Sequence, residues 1–283
     1  MAENKQFPRT QVEGVSLPRM LIGTNWITGY SHTGYAADMD IRSTNATPED
    51  VFPILKVFTD HGVDAIMGGM TGGITADSMK YLHDKTGREL IKIDTPIINV
   101  SDSKEARAEA EQIIKNSARC GAKFCMPHHS SVEELVNKNK RTIERLPDYL
   151  SMIRDNGMIP GLSAHMPELI IYSDLNEYDV QTYVQLFNCM GFLMQIEIES
   201  IIQIIHNAKK PVMTIKPMAA GRVSPYVGLT FNWNVLRPQD MITVGCKTHW
   251  EAYEDVEISF AALEKRLPDL EGRSSPNKTD IIK

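Results

Sequence analysis

Four of the eight histidines, His32, His128, His129 and His165, fall where short apolar runs of the chain end, and Lys216 closes another such run. Imidazole titrates near neutrality, so at such positions it can shuttle a proton or hold a metal. A lysine ending an apolar run can pair with a substrate carboxylate or phosphate, or, once desolvated, act as a Schiff-base amine. Asn25, Trp26, Tyr30 and His32 follow the first run and are candidates for contact with a substrate. Each of these residues also has an ordinary structural role to set beside the chemical one. A histidine can cap a helix or pack over it, and a lysine can pair with a loop carboxylate. Successive side chains of a regular strand point to opposite sides, so only one of His128 and His129 is expected to face a pocket.

Two further chemistries are weaker in the pattern. Three imidazoles plus water would make a catalytic zinc site, but neither HxH nor HExxH spacing occurs, so a divalent metal is a secondary expectation. The loop Gly68-Gly69-Met70-Thr71-Gly72-Gly73 lets backbone approach an anion, or it can serve as a mobile lid. It lacks the Lys-Ser/Thr that completes a phosphate loop. The 15 methionines, Met67 and Met126 among them, read as core and pocket filling.

Short apolar runs at 20–23, 65–68, 95–100, 123–127, 158–163, 182–187, 211–215 and 241–244 alternate with amphipathic stretches. Near-continuous apolarity is what parallel strands covered on both faces require. Helix starts are legible as well. Thr47-Pro48-Glu49-Asp50 places a hydroxyl at the N-cap and Pro at N1. Asp102/Glu105, Ser131/Glu134 and Thr248/Glu251 have capping-box spacing. Gly62, Gly121 and Gly157 are placed to close helices in a left-handed turn. Eight strands with intervening helices predict a single (β/α)8 TIM barrel over residues 1–283, with 1–18 as an N-terminal plug or hairpin and 274–283 as a polar tail. A doubly wound sheet would need a glycine-rich phosphate turn after the first strand, and Gly23 stands there alone. In a barrel the strand C-termini converge, which brings the scattered histidines to one face.

The 283 residues carry a formal net charge of −6, with 42% hydrophobic and 23% charged residues. That balance excludes a disordered chain and argues against a phosphate-backbone binder, so no nucleic-acid partner is expected. No apolar stretch reaches the roughly 18 residues that span a bilayer, and the polar start shows no apolar signal region. Cys120, Cys125, Cys189 and Cys246 are widely spaced without a CxxC pair and read as reduced thiols. A cytoplasmic protein with a small-molecule substrate is the expectation, and its oligomeric state is left open.

Five segments then stand in a telling order. They are Lys123-Phe124-Cys125-Met126-Pro127-His128-His129, residues 156–168 with Gly161-Leu162-Ser163-Ala164-His165, Gln185-Leu186-Phe187-Asn188, Ile215-Lys216-Pro217-Met218-Ala219-Ala220-Gly221-Arg222, and Gly245-Cys246-Lys247-Thr248 running to Glu254-Asp255. In that order they resemble strands four to eight of the aldo-keto reductase superfamily, and the opening 7–23 is similar to its N-terminal hairpin and first strand. The resemblance implies hydride transfer between NADP(H) and a carbonyl or polyol compound. It implies His128 or His129 as the histidine that orients the carbonyl, and Ser163, Gly221, Lys247 and Thr248 as cofactor contacts. It also exposes a departure. Met67, Gly72 and Pro96 stand where that family has its catalytic Asp, Tyr and Lys. Since a developing alkoxide needs an acid, Tyr30, His32 and His129 become candidates for the proton donor. Two other readings follow from the same residues. One is a barrel using His128, His129, His165 and Lys216 for hydrolysis, elimination or isomerisation, with or without a metal. The other is a non-catalytic ligand-binding subunit.

Overall fold

The computed structural model describes residues 5–270, so the polar segment 274–283 lies outside the described residues. The chain starts with a hairpin, β1 (Arg9–Val12) and β2 (Val15–Pro18), turned at Glu13 and Gly14, both left-handed. Then come β3 (Met20–Gly23), α1 (Asn25–Thr28), α2 (Tyr35–Thr44), α3 (Pro48–Asp60), β4 (Ala65–Gly68), α4 (Gly73–Thr86), β5 (Ile91–Asp94) and α5 (Lys104–Arg119). Next are β6 (Phe124–Cys125), α6 (His129–Val132), the short hairpin β7 (Val136–Asn137) and β8 (Thr142–Ile143), and α7 (Leu146–Asp155). The chain continues with β9 (Ile159–Pro160), β10 (Leu162–Ala164), α8 (Glu168–Leu175), β11 (Tyr183–Leu186) and α9 (Ile198–Asn207). It ends with β12 (Val212–Ile215), α10 (Pro225–Val235), β13 (Met241–Val244) and α11 (His249–Glu264).

Nine parallel segments pair in the order β10-β11-β12-β13-β3-β4-β5-β6-β9, and β9 and β10 are consecutive pieces of one barrel strand. This is a (β/α)8 barrel. Closure runs through Gly161: its amide donates to the Cys125 carbonyl on one side, while the Leu162 amide donates to Thr182 on the other. The barrel interior is filled by Leu21, Ala65, Met67, Ile93, Phe124, Met126, Val184, Met213 and Met241, and Val12 and Leu17 of the hairpin pack into the same cluster. The hairpin therefore stoppers one end, and the ligand-facing end is left to the loops after the strands. No helix among the described residues is long and apolar enough to cross a membrane.

Local chemistry explains most boundaries and corrects several. Thr47/Asp50 and Thr248/Glu251 are true capping boxes, and Gly62, Gly121 and Gly157 adopt φ values of +74°, +81° and +75° after their helices. The cap of α5 is Ser103, which accepts from the Ala106 amide, rather than Asp102. Ser131 caps nothing; it lies inside α6, and its Oγ accepts from the Ile98 amide. The third barrel strand is Ile91–Asp94, not the apolar run at 95–100. Pro96 has no N–H to give a ladder, whereas Lys92 sits in the strand because its ammonium reaches the Cys120 carbonyl at 2.7 Å. Asp94 thereby moves to a strand end, buried, where it accepts from the Met70 amide (2.9 Å) and Ser117 Oγ (2.5 Å). Burial pushes its pKa up despite those bonds.

A Cβ placed on Gly161 would lie 2.7 Å from Met126 Cε and 2.9 Å from the Thr182 carbonyl oxygen. Gly161→Ala is expected to lower stability by about 1–3 kcal/mol, the usual cost of overpacking. Thermal unfolding followed by circular dichroism checks this, and an unchanged midpoint would contradict the closure described.

Candidate active site

The loops at the strand C-termini surround one cavity of about 1090 Å³. His32, His128, His129, His165 and Lys216 all line it, and so do Asn25, Trp26, Tyr30, Ser163 and Gly221. Lys247 and Thr248 are not among its lining residues, which on this side are Gly245 and Glu251, Glu254 and Asp255 of α11. Both His128 and His129 face the cavity. Strand alternation does not apply to them, because β6 ends at Cys125 and the two residues are the N-cap and first residue of α6.

The imidazoles form a row. The His128 and His129 rings are 4.2 Å apart, and His129 stacks on His165 at 3.8 Å with the planes 18° apart. One side chain that the sequence reading missed holds this row together. Glu133 Oε1 accepts the His165 and Met166 amides at 2.6 and 2.7 Å, and Oε2 lies 3.6 Å from His129 Nδ1. The carboxylate ties the loop after β6 to the end of β10 and gives His129 an orienting partner. Burial raises the Glu133 pKa, but His129 and the two amides outweigh it and hold the group below its ordinary value. The only sequence signal was the spacing of four residues between His129 and Glu133, which puts them on one helical face.

His128 is committed differently. Its Nδ1 contacts Ser130 Oγ at 2.8 Å and accepts from the Ser130 amide, so that nitrogen caps α6. Burial, then the charges of His129 and Lys216, bring His128 down to about 4. His165 falls to about 3, by burial and then Lys216. His32 is lowered by the same two causes in the same order. Lys216 itself is half-buried; its carbonyl accepts the Ala219 amide at 2.9 Å, but its ammonium makes no hydrogen bond or ion pair with any described residue. Desolvation alone lowers it to about 8.

Backbone geometry aims two of these groups. Lys216 and His32 both have φ of +59°, a region that costs a non-glycine residue of order 1 kcal/mol or more and persists only where neighbours enforce it. The His32 loop is strapped across the mouth: Arg222 donates to the His32 carbonyl (3.3 Å) and Thr33 Oγ1 to the Ala220 carbonyl (3.3 Å). Tyr30 is exposed, with the Arg42 guanidinium 5.5 Å from its ring centroid. Trp26 lies against Gly245 and Gly221, and a Cβ on either would meet the indole at 3.1 or 3.6 Å. Among the described residues, no group of three or more His, Cys, Asp or Glu side chains has the geometry to hold a metal ion.

No protein-family model and no curated protein sequence matches the chain. Solved structures do. A provisionally assigned aldo-keto reductase of Pseudomonas aeruginosa superposes with a TM-score of 0.67 at 14% identity, covering 93% of this chain and 98% of that one. An aldo-keto reductase from Klebsiella pneumoniae in complex with NADPH gives 0.56 at 14%, covering 99% and 94%. The glycerol dehydrogenase of Gluconobacter oxydans gives 0.55 at 11%, covering 97% and 99%. The fold is that of the aldo-keto reductases, at sequence identities of 11–14%.

The row has a pH consequence. His128 and His165 bind a proton less readily in the folded chain than in the unfolded one, where histidine titrates near 6.5. On acidification the unfolded state therefore takes up protons first, and stability falls from about pH 6.5 towards 4. In an NMR titration both rings should stay neutral at pH 5; midpoints near 6.5 would contradict the site as described.

Proposed function

We propose that the chain is a small-molecule enzyme of oxidoreductase type that acts on a carbonyl or polyol compound with a nicotinamide dinucleotide. The observation that carries this reading is the meeting of four imidazoles and one unpaired lysine in a single cavity at the ligand-facing end of the barrel. The dinucleotide enters from the fold likeness, whose members include a structure in complex with NADPH. A cavity of about 1090 Å³ is at the top of the usual range for small-molecule sites and has room for a substrate beside a larger ligand. Two buried hydroxyls in its wall, Thr75 Oγ1 and Thr243 Oγ1, have no hydrogen-bond partner among the described residues and would be satisfied by a bound polar ligand. Ser163, Gly221 and Ser224 line the same wall.

The α11 end fits a terminal phosphate poorly. Glu251 Oε2 already accepts the Lys247 and Thr248 amides at 2.6 and 3.1 Å, and the Lys247 ammonium is paired with Asp40 at 2.6 Å. The charges that would grip a phosphate are engaged within the chain, so NADH should bind at least as tightly as NADPH.

The bound dinucleotide would supply or accept the hydride. The chain's own task is then to place the carbonyl and move one proton. Lys216 offers a positive charge to the developing oxyanion, worth most where water is excluded. His129 is the proton carrier best placed to replace the missing tyrosine. Its Nδ1 faces Glu133, which leaves Nε2 for the substrate oxygen, the arrangement of an imidazole oriented by a carboxylate. His128 is less suited, because its Nδ1 is spent on the α6 cap. The free thiols of all four cysteines accord with a cytoplasmic setting.

His129→Ala should reduce turnover by about 10²–10⁴-fold with the circular dichroism spectrum unchanged, as expected for loss of a general acid. Fluorescence titration with NADH and NADPH tests the dinucleotide directly. Binding of neither would overturn that part of the reading, and full activity in His129→Ala would remove His129 from it.

A further inference from the structure

Lys216 differs from the other partly buried lysines among the described residues in how little holds it. Lys56, Lys80, Lys115, Lys138 and Lys247 each pair with a carboxylate at 2.6 Å, and Lys92 bonds a carbonyl. Lys216 has neither, although three acids, Glu251, Glu254 and Asp255, line the same cavity. A half-buried ammonium without a partner is costly, and its backbone occupies an unfavourable φ in addition. The Ala219 amide holds the Lys216 carbonyl at 2.9 Å, but no side chain among the described residues compensates the charge. The groups its charge reaches are imidazoles, His32, His128 and His165.

We propose that Lys216 is a covalent amine catalyst that condenses with the carbonyl carbon of a small aldehyde or ketone, with His129 handling the protons. This rests on the reading that the substrate is a carbonyl compound, and not on the dinucleotide. In the first step His129, in its neutral form, takes one proton from the ammonium. The Nζ lone pair then forms a bond to the carbonyl carbon, and a second proton passes from Nζ to the carbonyl oxygen to give a carbinolamine. The first proton, returned by the imidazolium, lets that hydroxyl leave as water. An ammonium and a carbonyl are thereby converted into a protonated imine and water, with no oxidant or reductant consumed. The protonated imine draws electrons from the neighbouring carbon, so an imidazole can remove an α-proton to give an enamine and return it. The activity this adds is α-proton exchange or isomerisation of a hydroxy-ketone or hydroxy-aldehyde.

Two properties of the site support each step. Desolvation at about 8 leaves about a tenth of Lys216 as free amine at pH 7, against less than a thousandth for an ordinary lysine near 10.4. The proton carrier in the same cavity is His129, whose Nδ1 lies 3.6 Å from Glu133 Oε2, while His128 and His165 bind a proton less readily and stay neutral beside it.

The test uses the full-length protein with hydroxyacetone as the carbonyl probe and cyanoborohydride to fix any imine, followed by peptide mass mapping at pH 7. Formaldehyde with the same reductant, in parallel, reports whether the amine is accessible at all. The expected result is hydroxyacetone labelling of Lys216 at least about tenfold ahead of the surface lysines, in line with its larger free-amine fraction. Labelling should vanish in Lys216→Arg, which keeps the charge but not the nucleophile. Incubation in D₂O should give protein-dependent loss of the hydroxyacetone α-proton signals, abolished in the same variant. Labelling of Lys216 by formaldehyde but not by hydroxyacetone would overturn the proposal, as would labelling by neither. Because dinucleotide binding is measured separately, NADH or NADPH binding with no Lys216 adduct would sink this inference alone.

Discussion

A half-buried ammonium group without a counter-charge among the described residues sets the terms for the rest of this site. Moving a charge out of water is expensive unless something compensates, and for Lys216 desolvation alone accounts for its lowered pKa. The same burial, reinforced by the lysine's field, keeps His128 and His165 neutral over the physiological range. One hollow therefore produces three properties together: a weakened base on Lys216, neutral imidazoles around it, and an electrostatic preference for a substrate oxygen bearing partial negative charge.

The barrel supplies the rigidity that such an arrangement needs. Parallel strands packed on the interior cluster bring loop ends together that are far apart in sequence. Three polar clamps then fix the loops. Asp94 binds the Met70 amide of the glycine-rich loop and Ser117 of α5. Glu133 ties the His129 turn to the His165 turn. Arg222 and Thr33 join the His32 loop to the Lys216 loop. Each clamp uses a short side chain or a charge-assisted bond to main-chain atoms, which positions neighbouring residues without occupying the cavity.

The strands were largely legible because apolar runs bounded by turn residues mark parallel barrel strands, and 20–23, 65–68 and 241–244 coincide with the structure. The third strand was misread because hydrophobicity favours Thr95–Pro96–Ile97–Ile98 over a segment interrupted by Lys92, whose charge is led out to a carbonyl. The histidines and Lys216 were readable from the rule that strand C-termini face the ligand. Glu133 was not: its role depends on reaching the His165 and Met166 amides, residues more than thirty positions away, and no local pattern encodes that contact. The engagement of Lys247 with Asp40 was hidden for the same reason, since 207 residues separate them.

The central claim is that Lys216 sits desolvated and unpaired among neutral imidazoles. An NMR pH titration of protein labelled with ¹³C at the lysine ε-carbons, assigned through Lys216→Arg, measures this without a ligand. The account predicts that one lysine titrates with a midpoint of about 8 and that its signal is the one lost in the variant. A midpoint near the ordinary value of about 10.4 would show a solvated or ion-paired ammonium and would contradict the account.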